Sequence, residues 1–109
     1  PEKFYMSEII REKIFNHFYQ EVPYRTAVVI EDMQETKKLV SIYAYIIVEN
    51  SHHKQIIIGK SGSMIKNIGI ESRKDLEDFV GCKVFLDLRV KIDSSWLKSK
   101  EKAFNYSDI

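Results

Sequence analysis

Gly59-Lys60-Ser61-Gly62 is the one place where residue type and spacing point to chemistry. The apolar run Ile56-Ile57-Ile58 stops at this tetrapeptide, and a helix-like pattern opens directly after it with Ser63, Met64 and Ile65. Glycines on either side of a lysine–serine pair make a turn without a side-chain wall, so another backbone can approach closely. Amides at the start of the following helix point outward, and the helix dipole makes that end attractive to anions. With Lys60 at its tip, this is a device for gripping phosphate.

Two patterns use such a device, and spacing separates them. A nucleotide-binding loop reads G-x-x-x-x-G-K-[ST]. Gly59-Lys60-Ser61 supplies its last three letters, but the first glycine would fall on Lys54, and no second nucleotide-binding motif is visible. Direct nucleotide hydrolysis is therefore disfavoured. The other pattern is a G-x-x-G loop that clamps the backbone of about four nucleotides of a single strand. The fuller KH signature is an apolar pair, G-x-x-G, two residues and an isoleucine. Ile57-Ile58, Gly59 to Gly62 and Ile65 satisfy it.

Charge supports a local site rather than a coating surface. The 109 residues carry a formal net charge of only +1, which argues against binding nucleic acid by bulk charge. Between Glu49 and Glu71 there is no acidic residue, while Lys54, Lys60, Lys66, His52 and His53 fall inside that interval. Lys60 and Ser61 would add a cation and a hydroxyl to the phosphate grip. Lys66, Arg73 and Lys74 either extend the positive surface or are solvated helix charges. Ile58, Met64, Ile65 and Ile68 either floor a shallow groove for bases or pack in the core. Tyr43 and Tyr45 either stack bases or fill a half-covered sheet face. His52 and His53 lack the companions of a metal site, and no nucleophile, base and orienting group come together.

The elements that must position this loop follow from periodicity. Ile10, Ile14, Phe18 and Val22, with Phe15 beside them, form one helical stripe after a capping Ser7, with Arg11, Glu12, Lys13 and Gln20 off it and Pro23 ending it. Thr26 to Ile30 reads as a strand, Glu31 to Lys38 as a polar connection, and Leu39 to Val48 as the strongest strand. Val40, Ile42, Ala44, Ile46 and Val48 line one face of it, and Ser41, Tyr43 and Tyr45 the other. His52 to Gln55 reads as a loop. A short helix is expected from Ser63 to Ile68, broken at Gly69, and a second from the Ser72/Asp75 capping spacing to Gly81, with Leu76, Phe79 and Val80 inward. Lys83 to Lys91 alternates, with Val84, Leu86, Leu88 and Val90 facing in. A last helix from Ser94 or Ser95 would dock through Trp96, Leu97 and Phe104. The fold expected is α+β, one domain over residues 1–109, with a three-stranded mixed sheet covered by helices on one face in the order α-β-β-α-α-β-α.

The single Cys82 cannot form an internal disulfide, which fits a reducing compartment. No apolar run approaches the ~20 residues of a membrane span, and no signal peptide is visible. The start Pro1-Glu2-Lys3, without methionine, reads as a piece of a longer polypeptide.

The layout resembles a bacterial type II KH domain, and particular blocks narrow it further. Ser7-Glu8-Ile9-Ile10-Arg11-Glu12-Lys13, Glu21-Val22-Pro23-Tyr24, Ile57 through Gly69-Ile70-Glu71-Ser72-Arg73-Lys74-Asp75, and Leu88-Arg89-Val90-Lys91-Ile92 followed by Trp96 resemble the C-terminal domain of the Era family of GTPases. The tail departs from the family at Phe104-Asn105-Tyr106. The resemblance implies a non-catalytic module without its GTPase domain and without a cofactor of its own, GTP and magnesium belonging to the missing domain. It implies binding of single-stranded RNA at the 3′ end of small-subunit (16S) ribosomal RNA, with the small ribosomal subunit and the GTPase domain as partners in ribosome assembly. The site residues it implies are Ile57, Ile58, Gly59, Lys60, Ser61, Gly62, Ser63, Met64, Ile65, Lys66, Ile68 and Arg73. It places the protein in the cytoplasm, extending to the inner face of the cell membrane. The alternative is a protein-docking or regulatory appendage of the GTPase that binds little RNA itself.

Overall fold

The computed structural model describes residues 1–95 and residue 98. Helix α1 spans Glu2–His17 and buries Met6, Ile10, Lys13 and Ile14. It starts before Ser7, whose hydroxyl donates within the helix to the Phe4 carbonyl at 2.7 Å, so Ser7 is not the cap expected. The helix also ends earlier than Pro23. Phe18 is extended, Gln20 turns the chain at φ 60, and Pro23 sits in a 3-10 turn at Val22–Arg25. Phe18 and Val22 reach the core from this link rather than from the helix stripe.

Strand β1 (Thr26–Glu35) and strand β2 (Leu39–Val48) form an antiparallel hairpin. The stretch expected as a connection after Ile30 is the second half of β1. Its register shifts between Ile30 and Asp32, so Glu31 is the extra residue of a bulge that carries pairing on to Glu35. Strand β3 (Lys83–Ile92) lies parallel to β2, from Leu39 opposite Lys83 to Val48 opposite Ile92. The sheet order is β1-β2-β3, mixed as expected, with β2 in the centre.

Alternation along β2 was legible: Val40, Ile42, Ala44, Ile46 and Val48 are buried, and Ser41, Tyr43 and Tyr45 are half-buried. The buried set packs with Met6, Ile10 and Ile14 of α1 and with Ile57, Ile68, Leu76 and Val84 in one core.

The stretch expected as a loop, His52 to Gln55, and the apolar run Ile56 to Ile58 after it belong to helix α2, Ser51–Ile58. Asn50 caps it, its side chain accepting from the His53 amide at 2.8 Å. The β-branched run Ile56 to Ile58 tolerates the helix because Ile57 is fully buried in the core. Helix α3 is a single element, Ser63–Val80. Gly69 does not break it, since a glycine inside a helix costs only about 1 kcal/mol, and Ile68, Ser72 and Leu76 all bury from one face. The helix pair is therefore α2 and α3, with the glycine loop between them instead of ahead of both. Ser72 is an interior helix residue, not a cap. Gly81 ends α3 at φ 80 as expected.

Ser94, Ser95 and Lys98 are helical. The docking residues expected for the last helix, Trp96, Leu97 and Phe104, and the Phe104-Asn105-Tyr106 departure lie outside the described residues. No helix among the described residues is long and apolar enough to cross a membrane.

Candidate functional site

The loop owes its shape to three backbone positions. Gly59 has φ 75 and ψ 175, Ser61 φ 53 and ψ 29, and Gly62 φ 77 and ψ 14. Left-handed backbone at Ser61 and Gly62 folds the chain into a tight turn that delivers it to the N-terminus of α3. Gly59 has no alternative: a Cβ there would lie 2.8 Å from Met64 Cβ and 3.0 Å from the Met64 amide nitrogen. Ser61 holds the left-handed conformation without being glycine, a cost of about 1–2 kcal/mol that marks a position fixed by its surroundings.

The loop is held from both sides. The Gly59 amide donates to Gln55 at 2.9 Å and so closes α2, and the Gly62 amide donates to Gly59 at 3.1 Å. No side chain caps the first turn of α3. The Ser63 amide donates to the Lys60 carbonyl and closes the 3-10 turn, and the positive end of an 18-residue helix follows directly behind the loop.

Lys60, Ser61, Ser63, Lys66 and Arg73 are exposed, and Ile58, Gly59, Gly62, Met64 and Ile65 are half-buried around them. Ile57 and Ile68 are fully buried. They support the site from beneath and present no surface to a ligand. Lys66 and Arg73 lie seven residues apart on one face of α3 and form a basic row. Lys60, Lys66 and Arg73 make no salt bridge among the described residues.

Helix α3 sorts its charges. Glu71 and Asp75, one turn apart, point to α1: Glu71 meets His17 at 2.6 Å, and Asp75 pairs with Lys13. Lys13 was expected on the solvent side of α1 but is buried, with Glu12 at 2.9 Å as its second carboxylate. Burial works to lower its pKa, and the hydrogen bonds and charges of Asp75 and Glu12 outweigh it, so the ammonium is held above its ordinary range. The first two acidic residues after the loop are thereby turned away from the Lys66/Arg73 row.

Sequence reasoning left one component unassigned, the strand beside the groove. It is β3. Both α2 and α3 pack on this edge strand. Glu77 of α3 accepts from the Val84 amide at 3.0 Å, which places that amide on the unpaired side. By the period of two, the amides of Leu86, Leu88 and Val90 point to the same free edge. Their side chains are half-buried against the core. The alternation of β3 was readable, but its edge position depends on a pairing that no local pattern records. Tyr43 and Tyr45 lie on the sheet face opposite the helices, among the lining of a separate groove, and do not join the loop site. His53 is buried with its Nε2 3.7 Å from Glu21. No group of three metal-ligating side chains is gathered among the described residues.

A turn of left-handed residues, unpaired cations, a half-buried apolar margin and a free strand edge on an α-β-β-α-α-β frame define a KH module. The KH domain family model matches residues 21–97, and the chain belongs to that family. Among curated proteins it is 50% identical over 97 residues to the GTPase Era of Trichlorobacter lovleyi, covering 88% of this chain and 33% of that protein. It is 45% identical over 109 residues to the GTPase Era of Geotalea uraniireducens, covering 97% of this chain and 37% of that protein. The chain thus spans about a third of the length of these relatives. It superposes with TM-score 0.85 and 36% identity on Aquifex aeolicus Era bound to GDP and AlF4⁻, covering 93% of this chain and 35% of the other. The same score and identity hold for Era in complex with MgGDPNP and nucleotides 1506–1542 of 16S ribosomal RNA, with 93% and 34% covered.

Proposed function

We propose that this module holds single-stranded RNA, with phosphates against the Gly59–Gly62 loop and bases on the margin formed by Ile58, Met64 and Ile65. The observation that carries the reading is the left-handed backbone at Ser61 and Gly62 beside Lys60, Lys66 and Arg73, which make no salt bridge among the described residues. Lys60 supplies charge at the tip and Ser61 a hydroxyl, and these contacts set the register of the strand. The Lys66/Arg73 row follows the backbone along α3. The free amides of β3 offer hydrogen bonds to base edges, which only unpaired bases can meet.

The relationship to Era supports a specific target. A solved Era carries nucleotides of the 3′ region of 16S ribosomal RNA, and the reading extended to this chain is the corresponding segment of small-subunit RNA, bound during ribosome assembly. In that reading the domain is the RNA grip of a longer GTPase working in the cytoplasm, with nucleotide and magnesium handled by the other domain and the small ribosomal subunit as partner.

Titration with an oligonucleotide copying the ribosomal 3′ end and with a scrambled control tests this. Saturable binding that prefers the ribosomal sequence is expected. Lys60→Asp should weaken it by about tenfold or more while thermal unfolding stays unchanged, since the site loses one cation and gains a repelling carboxylate. Affinity should fall with salt at a slope near −0.7 per neutralised phosphate. Equal affinity in a folded Lys60→Asp variant rejects the site. No saturable binding near physiological salt favours a docking or regulatory appendage instead.

A further inference from the structure

The sheet face opposite the helices carries a second groove of about 250 Å³, lined by Glu31, Asp32, Tyr43, Tyr45, Asp87 and Arg89 together with Ala44. The register explains it. Tyr43 of β2 lies between Asp32 of β1 and Asp87 of β3, and Tyr45 lies beside Arg89. The β1 bulge inserts Glu31 and adds a carboxylate at the same rim. Carboxylates thus flank an aromatic floor on both sides.

We infer that this groove docks a protein segment presenting an arginine or lysine side chain, laid over Tyr43 and Tyr45 and paired with Glu31 and Asp32. Charge complementarity carries the choice of occupant. Three carboxylates and one cation line the groove. Arg89 is already held by Asp87 through two hydrogen bonds at 2.9 and 3.2 Å. Among the described residues Glu31 makes no hydrogen bond or salt bridge, its charge acting only at longer range on Arg89, and Asp32 accepts only from the neighbouring Met33 amide and Gln34. The excess negative charge faces solvent over tyrosine rings, an arrangement that favours cations. The face shows the preference internally, since Lys91 Nζ sits 5.8 Å from the centre of the Tyr45 ring. The same charge repels a phosphate backbone, so RNA on the glycine loop and a basic polypeptide on the sheet can be held at once.

The test uses the 109-residue chain and a short synthetic peptide with arginine at alternate positions and serine between them. An identical peptide with glutamate for arginine is the control. Binding is read by fluorescence anisotropy, and the site by NMR shifts of Tyr43 and Tyr45. The arginine peptide should bind and shift both tyrosines. The double variant Glu31→Gln, Asp32→Asn should bind it about tenfold more weakly with RNA affinity unchanged. Arg89→Ala, which releases Asp87, should bind it more tightly, a gain that a merely structural role for these residues does not produce. Equal affinity in the double variant, weaker binding by Arg89→Ala, shifts centred on Lys60 and Lys66, or an RNA oligonucleotide shifting Tyr43 and Tyr45 would each overturn the assignment.

Discussion

Lys13 and Lys60 are the same side chain in opposite roles. At the α1–α3 seam, Lys13 is buried between Asp75 and Glu12, and its charge holds two helices in register. At the glycine loop, Lys60 is exposed and unbridged among the described residues, at the tip of a backbone turn that no side chain closes. Helix α3 serves both regions. It presents Glu71 and Asp75 to α1 and Lys66 and Arg73 to the other side. A charge that has found its partner stabilises the fold, and one left without a partner is available to a ligand. Substitutions should therefore separate by region into those that move stability and those that move affinity.

The largest effect is expected where the regions meet, at Gly59. Valine there must adopt φ near 75 and push its Cβ against Met64. Overpacking together with the strained backbone should cost about 2–4 kcal/mol and abolish RNA binding. Gly62→Ala is the control. It carries a similar φ of 77, but nothing lies within 4 Å of the added Cβ, so only about 1–2 kcal/mol of conformational strain is expected. Denaturant melts of the two variants check the difference. Equal losses would show that left-handed backbone alone, and not the contact with Met64, makes Gly59 necessary.

Next in size is the seam. Asp75→Ala leaves the buried Lys13 ammonium with Glu12 alone and should cost about 1.5–3 kcal/mol, with RNA affinity unchanged once the protein is folded. Lys13→Met should cost less, about 1 kcal/mol or under, because the half-exposed Asp75 can be hydrated and the methionine packs in the space. Their pH dependence distinguishes the two. The Lys13 pKa is raised in the folded state above an ordinary 10.5. Its contribution is therefore fully present below that value and is lost as pH rises through the folded pKa. The stability difference between wild type and Lys13→Met should be flat from neutral to mildly alkaline pH and shrink above about pH 10.5.

The same contrast explains what could be read from the chain. Strand β2 announced itself because one face is buried and the other is not, so period-two alternation survives in residue type. The glycine loop was legible because a turn with positive φ restricts residue choice at each of its ends. Helix α2 was not. Ile56-Ile57-Ile58 has strand composition, and an eight-residue helix holds too few positions for a helical period to show. The available signal was Asn50 three residues before His53, a capping geometry that outweighs a β-branched run. Gly69 misled for a related reason. Its local preference is worth about 1 kcal/mol, less than the burial of Ile68 and Leu76 on either side. Lys13 was placed in solvent because a lone lysine carries no mark of its partner, and Asp75 lies 62 residues away.

The smallest expected effect offers the sharpest separation of the two regions. Ser61 is a non-glycine residue held at φ 53 inside the loop. Ser61→Gly removes a left-handed penalty of about 1–2 kcal/mol but widens the freedom of the unfolded chain by about 0.4–1 kcal/mol. A net gain in stability of up to about 1.6 kcal/mol should result, a rise of a few degrees in melting temperature. The same change deletes the hydroxyl offered to the phosphate, worth about 0.5–1.5 kcal/mol if it bonds the ligand. RNA affinity should then fall by about two- to tenfold in a protein that has become more stable. Opposite signs from one substitution would show that the loop keeps a strained serine for its ligand. If stability and affinity instead fell together, Ser61 would belong with Lys13, as a residue whose partner lies within the chain.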